Sequence, residues 1–110
     1  GQAAMVQSLL DEMVKATQAD EPGALHYEYY MPEDRSTCTV LERYADNAAV
    51  MTHLGNFGAK FADRFLTAFT PVRFTVYGPA NDEVMRNWFQ DFGANADLSP
   101  WLKNLSGKFP

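Results

Sequence analysis

The spacing of apolar residues near the start of the chain predicts an amphipathic helix over residues 2–19. Apolar side chains recur there at intervals of three and four residues, which brings them to one face of a helix. The residues of this stripe are Val6, Leu9, Leu10, Met13 and Ala16. Pro22 cannot continue a helix, so the helix is predicted to end in the segment that finishes at Gly23.

Alternation with a period of two predicts strands at residues 24–31 and 37–44. In the first strand, Tyr27 and Tyr29 alternate with His26, Glu28 and Tyr30. One face of the second strand carries Cys38, Val40, Glu42 and Tyr44, and the other carries Thr39, Leu41 and Arg43. A short polar turn beginning at Pro32 joins the two segments, so they are predicted to form an antiparallel hairpin.

Two helical segments are predicted next, with Asp46 as the N-cap of the first. The first helix covers residues 47–54, residues 55–58 interrupt it at two glycines, and a second helix covers residues 59–69. Phenylalanines recur every four residues along the second helix as an aromatic stripe: Phe61, Phe65 and Phe69. Pro71 ends the helix.

Residues 72–77 predict a third strand, after which the pattern becomes irregular. A turn and a short helix from Asn81 or Asp82 to Phe92 are predicted, with Trp101 and Leu102 as further anchors. The expected domains are therefore a core over residues 1–78 and a C-terminal helical extension over residues 79–110 that packs on the same domain.

The order helix, strand, strand, helix, strand predicts an α+β, ferredoxin-like fold with an antiparallel sheet and helices on one face. It is the βαββαβ unit without its first strand. The missing strand is expected either upstream in the natural protein or from another chain. Because the chain opens at Gly1 without Met, the upstream origin is favoured.

Composition narrows the classes of partner. The net charge is −5 and Lys and Arg are not clustered, which argues against a nucleic-acid partner. No apolar run approaches the roughly 20 residues that span a bilayer, so a membrane protein is not expected. The single cysteine, Cys38, cannot form an internal disulfide, which favours a cytoplasmic location. Its side chain is interpreted as a small buried hydrophobe. Two histidines and one cysteine at scattered positions predict no metal site.

Residues 41–54 resemble the signature of the antibiotic-biosynthesis-monooxygenase family. In that family a strand ends in Glu-x-aromatic, and after a polar turn a helix carries Ala-x-x-x-His. The matching residues are Glu42, Tyr44, Ala49 and His53, preceded by Gly23, Tyr27 and Tyr29 at the entry to the hairpin. The resemblance covers about residues 1–78, because the strand that ends at Gly78 also fits.

The resemblance implies a homodimer that packs through its sheet faces, with a pocket between sheet and helices in each subunit. Members of the family oxidise polycyclic or quinol substrates with O₂ and without metal or flavin, degrade haem, or isomerise a phosphorylated sugar. The haem-degrading members place a Trp upstream of the His on this helix. Here Trp88 follows the last strand, so haem is a minority interpretation and no cofactor is expected.

Chemistry is predicted at His53, as a general base or as a donor that polarises a substrate oxygen. The structural alternative is a helix-terminal histidine, one turn before the glycine break, that bonds a carbonyl or solvent. Glu42 lies among apolar neighbours and needs a partner, for which Arg73 is the candidate. A structural ion pair is favoured for these two over a pocket role.

Six aromatic residues are predicted to wall a pocket for a flat aromatic substrate, unless they are plain core. They are Tyr27, Tyr29, Tyr44, Phe57, Phe61 and Phe65. The leading functional hypothesis is a cofactor-independent monooxygenase that uses O₂ on a small aromatic or quinol substrate. The alternatives are an isomerase or lyase with His53 as a proton shuttle, and a small-ligand-binding module without catalysis. His26 alternates to the face opposite Tyr27 and is assigned to the surface or the dimer interface.

Overall fold

A computed structural model of the chain describes residues 2–78, 83, 84, 86, 97, 98, 105 and 106. The chain divides into two compact units, Gly1–Ala68 and Phe69–Pro110. Each unit is described by itself below.

The first unit contains three helices and a hairpin. Its elements are α1 (Gln2–Asp20), β1 (Ala24–Tyr30), β2 (Thr39–Tyr44), α2 (Asn47–Lys60) and α3 (Ala62–Ala68). The order helix, strand, strand, helix confirms the predicted α+β, ferredoxin-like arrangement. None of the helices in the described part of the chain is both long enough and apolar enough to cross a membrane.

The hairpin pairs β1 with β2 antiparallel, as predicted. Tyr27 lies opposite Glu42 and Tyr29 lies opposite Val40, with an irregularity between Ala24 and His26. Residues directly opposite each other share a face of the sheet, so the face of Tyr27 is also that of Glu42. This face is partly covered, whereas Glu28 and its partner Leu41 are exposed on the other face.

The loop between the strands is longer than the sequence predicted. The second strand begins at Thr39 and not at residue 37. Arg35 donates its backbone N–H to the Pro32 carbonyl and has a positive φ of 56°, and Ser36 N–H bonds to the Asp34 carboxylate. These local bonds hold the backbone in a turn, so the ladder starts only after it.

The core of the first unit lies where α1 and α2 face each other and the hairpin. The apolar stripe of α1 is confirmed, since Leu9, Leu10 and Met13 are buried. From α2 onward the buried apolar residues are Leu54, Phe57 and Phe61. The polar residues buried with them are Thr17, Glu21 and His53.

Helix α2 runs through residues 55–58, so the predicted break at the two glycines is wrong. Asp46 caps the helix as predicted, because its carboxylate accepts a hydrogen bond from the Ala49 N–H at 2.8 Å. A glycine in a helix costs only about 1 kcal/mol, which burial of Leu54 and Phe57 on either side of it outweighs. The chain departs from helical geometry at Phe61 instead, where φ is −129°.

Gly23 lets the start of the hairpin lie directly against α2. A Cβ built at Gly23 would lie 2.5 Å from the Cβ of Ala49, closer than two carbon atoms can approach. The Ala45 N–H also bonds to the Gly23 carbonyl at 2.9 Å. The turn after α1 is therefore fixed against the first turn of α2 by main-chain proximity.

The second unit contains two short strands in its described part, β3 (Arg73–Phe74) and β4 (Asp97–Leu98), which pair in parallel. The third strand predicted over residues 72–77 is shorter than expected, because only Arg73 and Phe74 pair with β4 among the described residues. Of the helix predicted to end at Phe92, only Glu83, Val84 and Arg86 are described, and they are helical. Trp88, Trp101 and Leu102 lie outside the described residues.

Candidate functional site

His53 lies between two carboxylates that come from different elements. Its Nδ1 is 2.8 Å from Glu21 Oε1, and its Nε2 is 3.3 Å from Glu42 Oε1. The His53 side chain is only 8% exposed, and that of Glu21 is 5% exposed. We call this set of three side chains the carboxylate–histidine network.

Glu21 belongs to the turn between α1 and β1, and the sequence analysis did not identify it. Its backbone N–H bonds to the Thr17 carbonyl, and its own carbonyl accepts from the Ala24 N–H. Asn56, one turn beyond His53 on α2, donates to Glu21 Oε2 at 3.3 Å. Both carboxylate oxygens of this buried residue therefore have partners. The residue lies 32 positions before His53, so no local spacing pattern connects the two.

Glu42 closes the network on the side of the hairpin. Its Oε1 also accepts a hydrogen bond from the Tyr44 hydroxyl at 2.7 Å. The Glu42 side chain is 27% exposed, so this end of the network is the one that solvent and ligands can reach. The predicted need for a partner at Glu42 is met by His53 and Tyr44, both in the first unit.

Aromatic rings surround the imidazole of His53 on three sides. The ring of Tyr27 meets it edge-on with centroids 4.9 Å apart, and the Tyr44 ring is tilted against it at 5.4 Å. Phe57 is stacked at 6.5 Å and in turn contacts Phe65 edge-on at 5.3 Å. These contacts exclude water from the imidazole and fix its orientation.

Tyr29 extends this aromatic shell away from His53. Its hydroxyl shares a hydrogen bond of 2.5 Å with that of Tyr27, and it lies 3.9 Å from the Met13 sulfur. Tyr29 also forms part of the wall of an open groove between α1 and the chain that follows β1, with a volume of about 510 Å³. The other groove residues are Gln7, Leu10, Asp11, Val14, Met31, Pro32, Glu33 and Arg35.

The enclosed space beside His53 is much smaller than the groove. A cavity of about 10 Å³ lies between α1 and α2, with Glu21, His53, Phe57 and Phe61 in its wall. This volume holds about one water molecule. Among the described residues, Tyr27, Tyr44 and Phe57 pack against the imidazole itself, and the role of the six aromatic residues as walls of a substrate pocket stays a prediction.

The negative charges of Glu21 and Glu42 change the pKa of His53 and of the tyrosines around it. Burial alone would lower the pKa of His53, but the hydrogen bond and charge of Glu42, together with those of Glu21, raise it above its usual value. Burial raises the pKa of Tyr27, Tyr29 and Tyr44, and the charge of Glu42 adds to the effect. The three phenols therefore stay protonated at neutral pH.

The family model for the antibiotic biosynthesis monooxygenases matches residues 1–68. The chain belongs to this family. The match covers the first unit and includes the whole carboxylate–histidine network. The antibiotic biosynthesis monooxygenases share a ferredoxin-like domain that takes a small molecule. The match confirms the resemblance found in residues 41–54 and the ferredoxin-like fold predicted from the order of the elements. No curated protein and no solved structure is similar enough to the chain to count as a match.

The structure of this family member places His53 differently from the sequence prediction. The histidine lies in the middle of α2 and not one turn before a break, because α2 continues to Lys60. The alternative of a helix-terminal histidine that bonds a carbonyl or solvent is therefore wrong. His53 bonds two carboxylates instead.

Most of the predicted site residues converge on His53. Glu42, Tyr27, Tyr44 and Phe57 contact it directly, as described above. Phe61 lies in the wall of the small cavity, and Tyr29 and Phe65 are reached through Tyr27 and Phe57. Arg73 belongs to the second unit, so its pairing with Glu42 stays a prediction. Among the residues that the structure describes, no three His, Cys, Asp or Glu side chains are grouped so as to hold a metal ion.

Proposed function

We propose that this protein is a cofactor-independent monooxygenase that oxidises a small hydroxylated aromatic or quinol-type substrate with O₂. The observation that supports it is the carboxylate–histidine network: a nearly buried imidazole, bonded to carboxylates and enclosed by aromatic rings, on the helix that the family model covers. Such a group removes a proton in a site from which water is excluded.

The reaction begins with transfer of a phenolic proton from the substrate to His53. The electron-rich anion passes one electron to O₂, and the two radicals combine to a peroxide on a ring carbon. Loss of water from the peroxide leaves a carbonyl at that carbon, so one oxygen atom enters the product and the other leaves as water. The electrons that reduce O₂ come from the substrate, which becomes a quinone.

The protein contributes proton transfer, orientation and a water-poor environment to these steps. The substrate hydroxyl reaches the network at Glu42, which is its more exposed end. Tyr44 stays protonated and donates to Glu42 at 2.7 Å, so its single hydroxyl hydrogen can donate to the substrate oxygen only after it leaves Glu42.

An isomerase or lyase is the second candidate, and the two carboxylates on His53 favour it. An imidazole with a carboxylate at each nitrogen takes up a proton on one side and releases one on the other. This is the chemistry of proton transfer next to a carbonyl, and it needs no oxygen. A small-ligand-binding module without catalysis is the third candidate. The groove of about 510 Å³ beside Tyr29 has the volume of a small-molecule site and supports that function.

Oxygen uptake with a panel of hydroquinones and hydroxynaphthols tests the proposal. The monooxygenase predicts saturable uptake, formation of quinone, and a loss of about 10²-fold or more in His53→Ala. His26→Ala is the matched control for loss of an imidazole, because His26 is the other histidine of the chain and is exposed on the face of β1 opposite to Tyr27. Its mass by light scattering is compared with that of the wild type, so that a change in association is told apart from a change in the site. Turnover of substrate without oxygen would replace the proposal by the isomerase or lyase. Ligand binding that survives His53→Ala, with no turnover, would replace it by the binding module.

We also propose that the protein works as a homodimer through the outer face of its hairpin. Tyr30 and Leu41 are 52% and 54% exposed on this face, and Leu25 beside the β1 irregularity is 49% exposed. Tyr30 and Leu41 are diagonal neighbours on the two strands and form an exposed apolar surface of the kind that pairs with another copy. This interface lies on the side of the sheet opposite to Glu42.

A further inference from the structure

We propose that Glu21 is a positioning residue for His53: its carboxylate keeps a proton on Nδ1 and makes Nε2 the nitrogen that exchanges protons with the substrate. The inference deepens the proposed function and rests on it for the identity of the substrate. The contacts that carry it are independent of the reaction, because they belong to the protein alone.

The two carboxylates around His53 are not equivalent. Glu21 is closer to the imidazole, at 2.8 Å against 3.3 Å for Glu42, and its side chain is 5% exposed against 27%. A carboxylate accepts hydrogen bonds and donates none when ionised, so the ring nitrogen that faces the buried Glu21 must carry the hydrogen. In the neutral imidazole the other nitrogen, Nε2, then has the free electron pair.

The structure holds Glu21 in place from two directions. Asn56 donates to its second carboxylate oxygen, so the side chain cannot rotate away without losing a buried bond. The close approach of Gly23 to Ala49 fixes the turn that carries Glu21 against the helix that carries His53. A buried acceptor held rigidly behind a histidine is the arrangement that selects one tautomer and stabilises the imidazolium.

Glu42 has the opposite character. It lies at the accessible end of the network, at the longer distance, and it shares its oxygen with the Tyr44 hydroxyl. A substrate hydroxyl can therefore displace Glu42 from Nε2 without uncovering the buried side. The titratable groups that face His53 are thus Glu21 from the turn, Glu42 and Tyr44 from β2, and Tyr27 from β1. Of these four residues, only Glu21 is buried.

Nitrogen NMR of the histidines in the full chain tests the inference without requiring activity. In the wild type, the neutral form of His53 is expected to show a protonated Nδ1 and an unprotonated Nε2. Glu21→Met removes the acceptor and is expected to give a mixture of tautomers. Glu21→Gln keeps an acceptor oxygen without the charge, so the tautomer is expected to remain while the protonation midpoint of His53 falls.

Steady-state kinetics form the second arm. Glu21→Met is expected to lower kcat about 10²-fold with little change in KM, because it misplaces the base without touching the substrate. Glu21→Gln is expected to move the pH profile to lower pH and to retain more of the rate. Asp20→Asn is the matched control, because it alters the neighbouring carboxylate, which is exposed and pairs with Lys60. It is expected to change neither kcat nor the pH profile.

The two arms separate the inference from the proposed function. An unprotonated Nδ1 in the wild type, or an unchanged tautomer in Glu21→Met, would overturn the role of Glu21. If Glu21→Met does not fold, an unchanged protonation midpoint in Glu21→Gln would do the same. A confirmed tautomer in a protein that turns over no substrate would leave Glu21 as the group that positions His53 and overturn the monooxygenase alone.

Discussion

A histidine with carboxylates at both ring nitrogens is a different base from a free imidazole. The two negative charges stabilise the imidazolium, and the aromatic rings of Tyr27 and Tyr44 keep water from screening them. The imidazole becomes a stronger base, but a smaller fraction of it is neutral at a given pH, and only the neutral form can accept a proton. The rate of proton removal is therefore expected to increase with pH through the raised pKa of His53.

The same shift predicts how stability depends on pH. Since the pKa of His53 is raised in the folded chain above about 6.5, its interactions stabilise the fold fully below that value. The contribution is lost as the pH increases through the folded pKa. Urea unfolding of the wild type and of His53→Gln at about pH 6 and about pH 9 measures this, and the wild-type advantage is expected to be smaller at the higher pH.

A titration curve of imidazole signals can be assigned to His53 only when the signal of the other histidine, His26, is removed. His26→Gln removes the exposed histidine and leaves one imidazole signal, which belongs to His53. A wild-type advantage over His53→Gln that increases with pH would contradict the raised pKa.

At the level of single residues, the sequence predicted the parts of the site that lie on regular elements. Strand alternation placed Glu42 and Tyr44 on one face of the second strand, and the resemblance to the family selected His53. Glu21 was missed because a turn residue has no periodicity. Its partner is defined only when α2 folds back onto the turn, so the contact is a property of the tertiary structure.

The elements of the first unit meet at one point where backbones are almost in contact. Gly23 lies against Ala49, and the turn that contains Gly23 also carries Glu21. A hydrogen bond from the Ala45 N–H to the Gly23 carbonyl crosses the same point. The geometry of the network thus depends on the absence of a side chain at Gly23.

Gly23→Ala is expected to destabilise the chain by about 1–3 kcal/mol, since the new Cβ would lie 2.5 Å from that of Ala49. Ala49→Gly removes the atom that clashes and is expected to recover part of the loss. A double-mutant cycle on urea unfolding gives the coupling between the two positions. Simple additivity of the two substitutions would contradict the close approach.

Helix α2 offers a test of backbone conformation alone. A Cβ at Gly55 would meet no atom within 4 Å, so Gly55→Ala is expected to stabilise the chain by about 0.5–1 kcal/mol. Gly78 also has open space, but its φ is +101°, so Gly78→Ala is expected to destabilise by about 1 kcal/mol. Thermal unfolding compares the two, and equal signs would contradict the difference in backbone conformation.

The elements that the sequence predicted correctly are those with long amphipathic patterns. Helix α1 and the hairpin agree with the prediction to within two residues at each end. The prediction of a break at residues 55–58 was wrong. Each glycine lowers helix stability only at its own position, whereas burial of Leu54 and Phe57 stabilises the helix on both sides of Gly55. The strand over residues 72–77 was predicted from alternation alone, but its length depends on the residues that pair with it.

The whole molecule is expected to use the two faces of its hairpin for separate tasks. The inner face carries Tyr27, Glu42 and Tyr44 toward His53. The outer face carries Tyr30 and Leu41 toward solvent. A dimer through the outer face would leave the network accessible at Glu42 in both subunits.

Leu41→Glu is expected to weaken the proposed homodimer by about tenfold or more, because it places a charge where association would bury the exposed Leu41 side chain. Leu66→Glu is the matched control, since Leu66 is an exposed leucine on α3, away from the sheet. Light scattering during size-exclusion chromatography over a range of concentrations measures the masses. A monomeric wild type, or equal dissociation in both variants, would contradict the proposed interface.

Helix α2 contains two glycines shortly after His53, and they affect how fast its backbone amides exchange hydrogen with solvent. Because the open state gains most entropy at glycine, we expect local opening of α2 to begin at residues 55–58, in the turn after His53. Hydrogen exchange is therefore expected to be faster at these residues than at the other hydrogen-bonded amides of α2. A ligand that orders the site is expected to slow the exchange at residues 55–58.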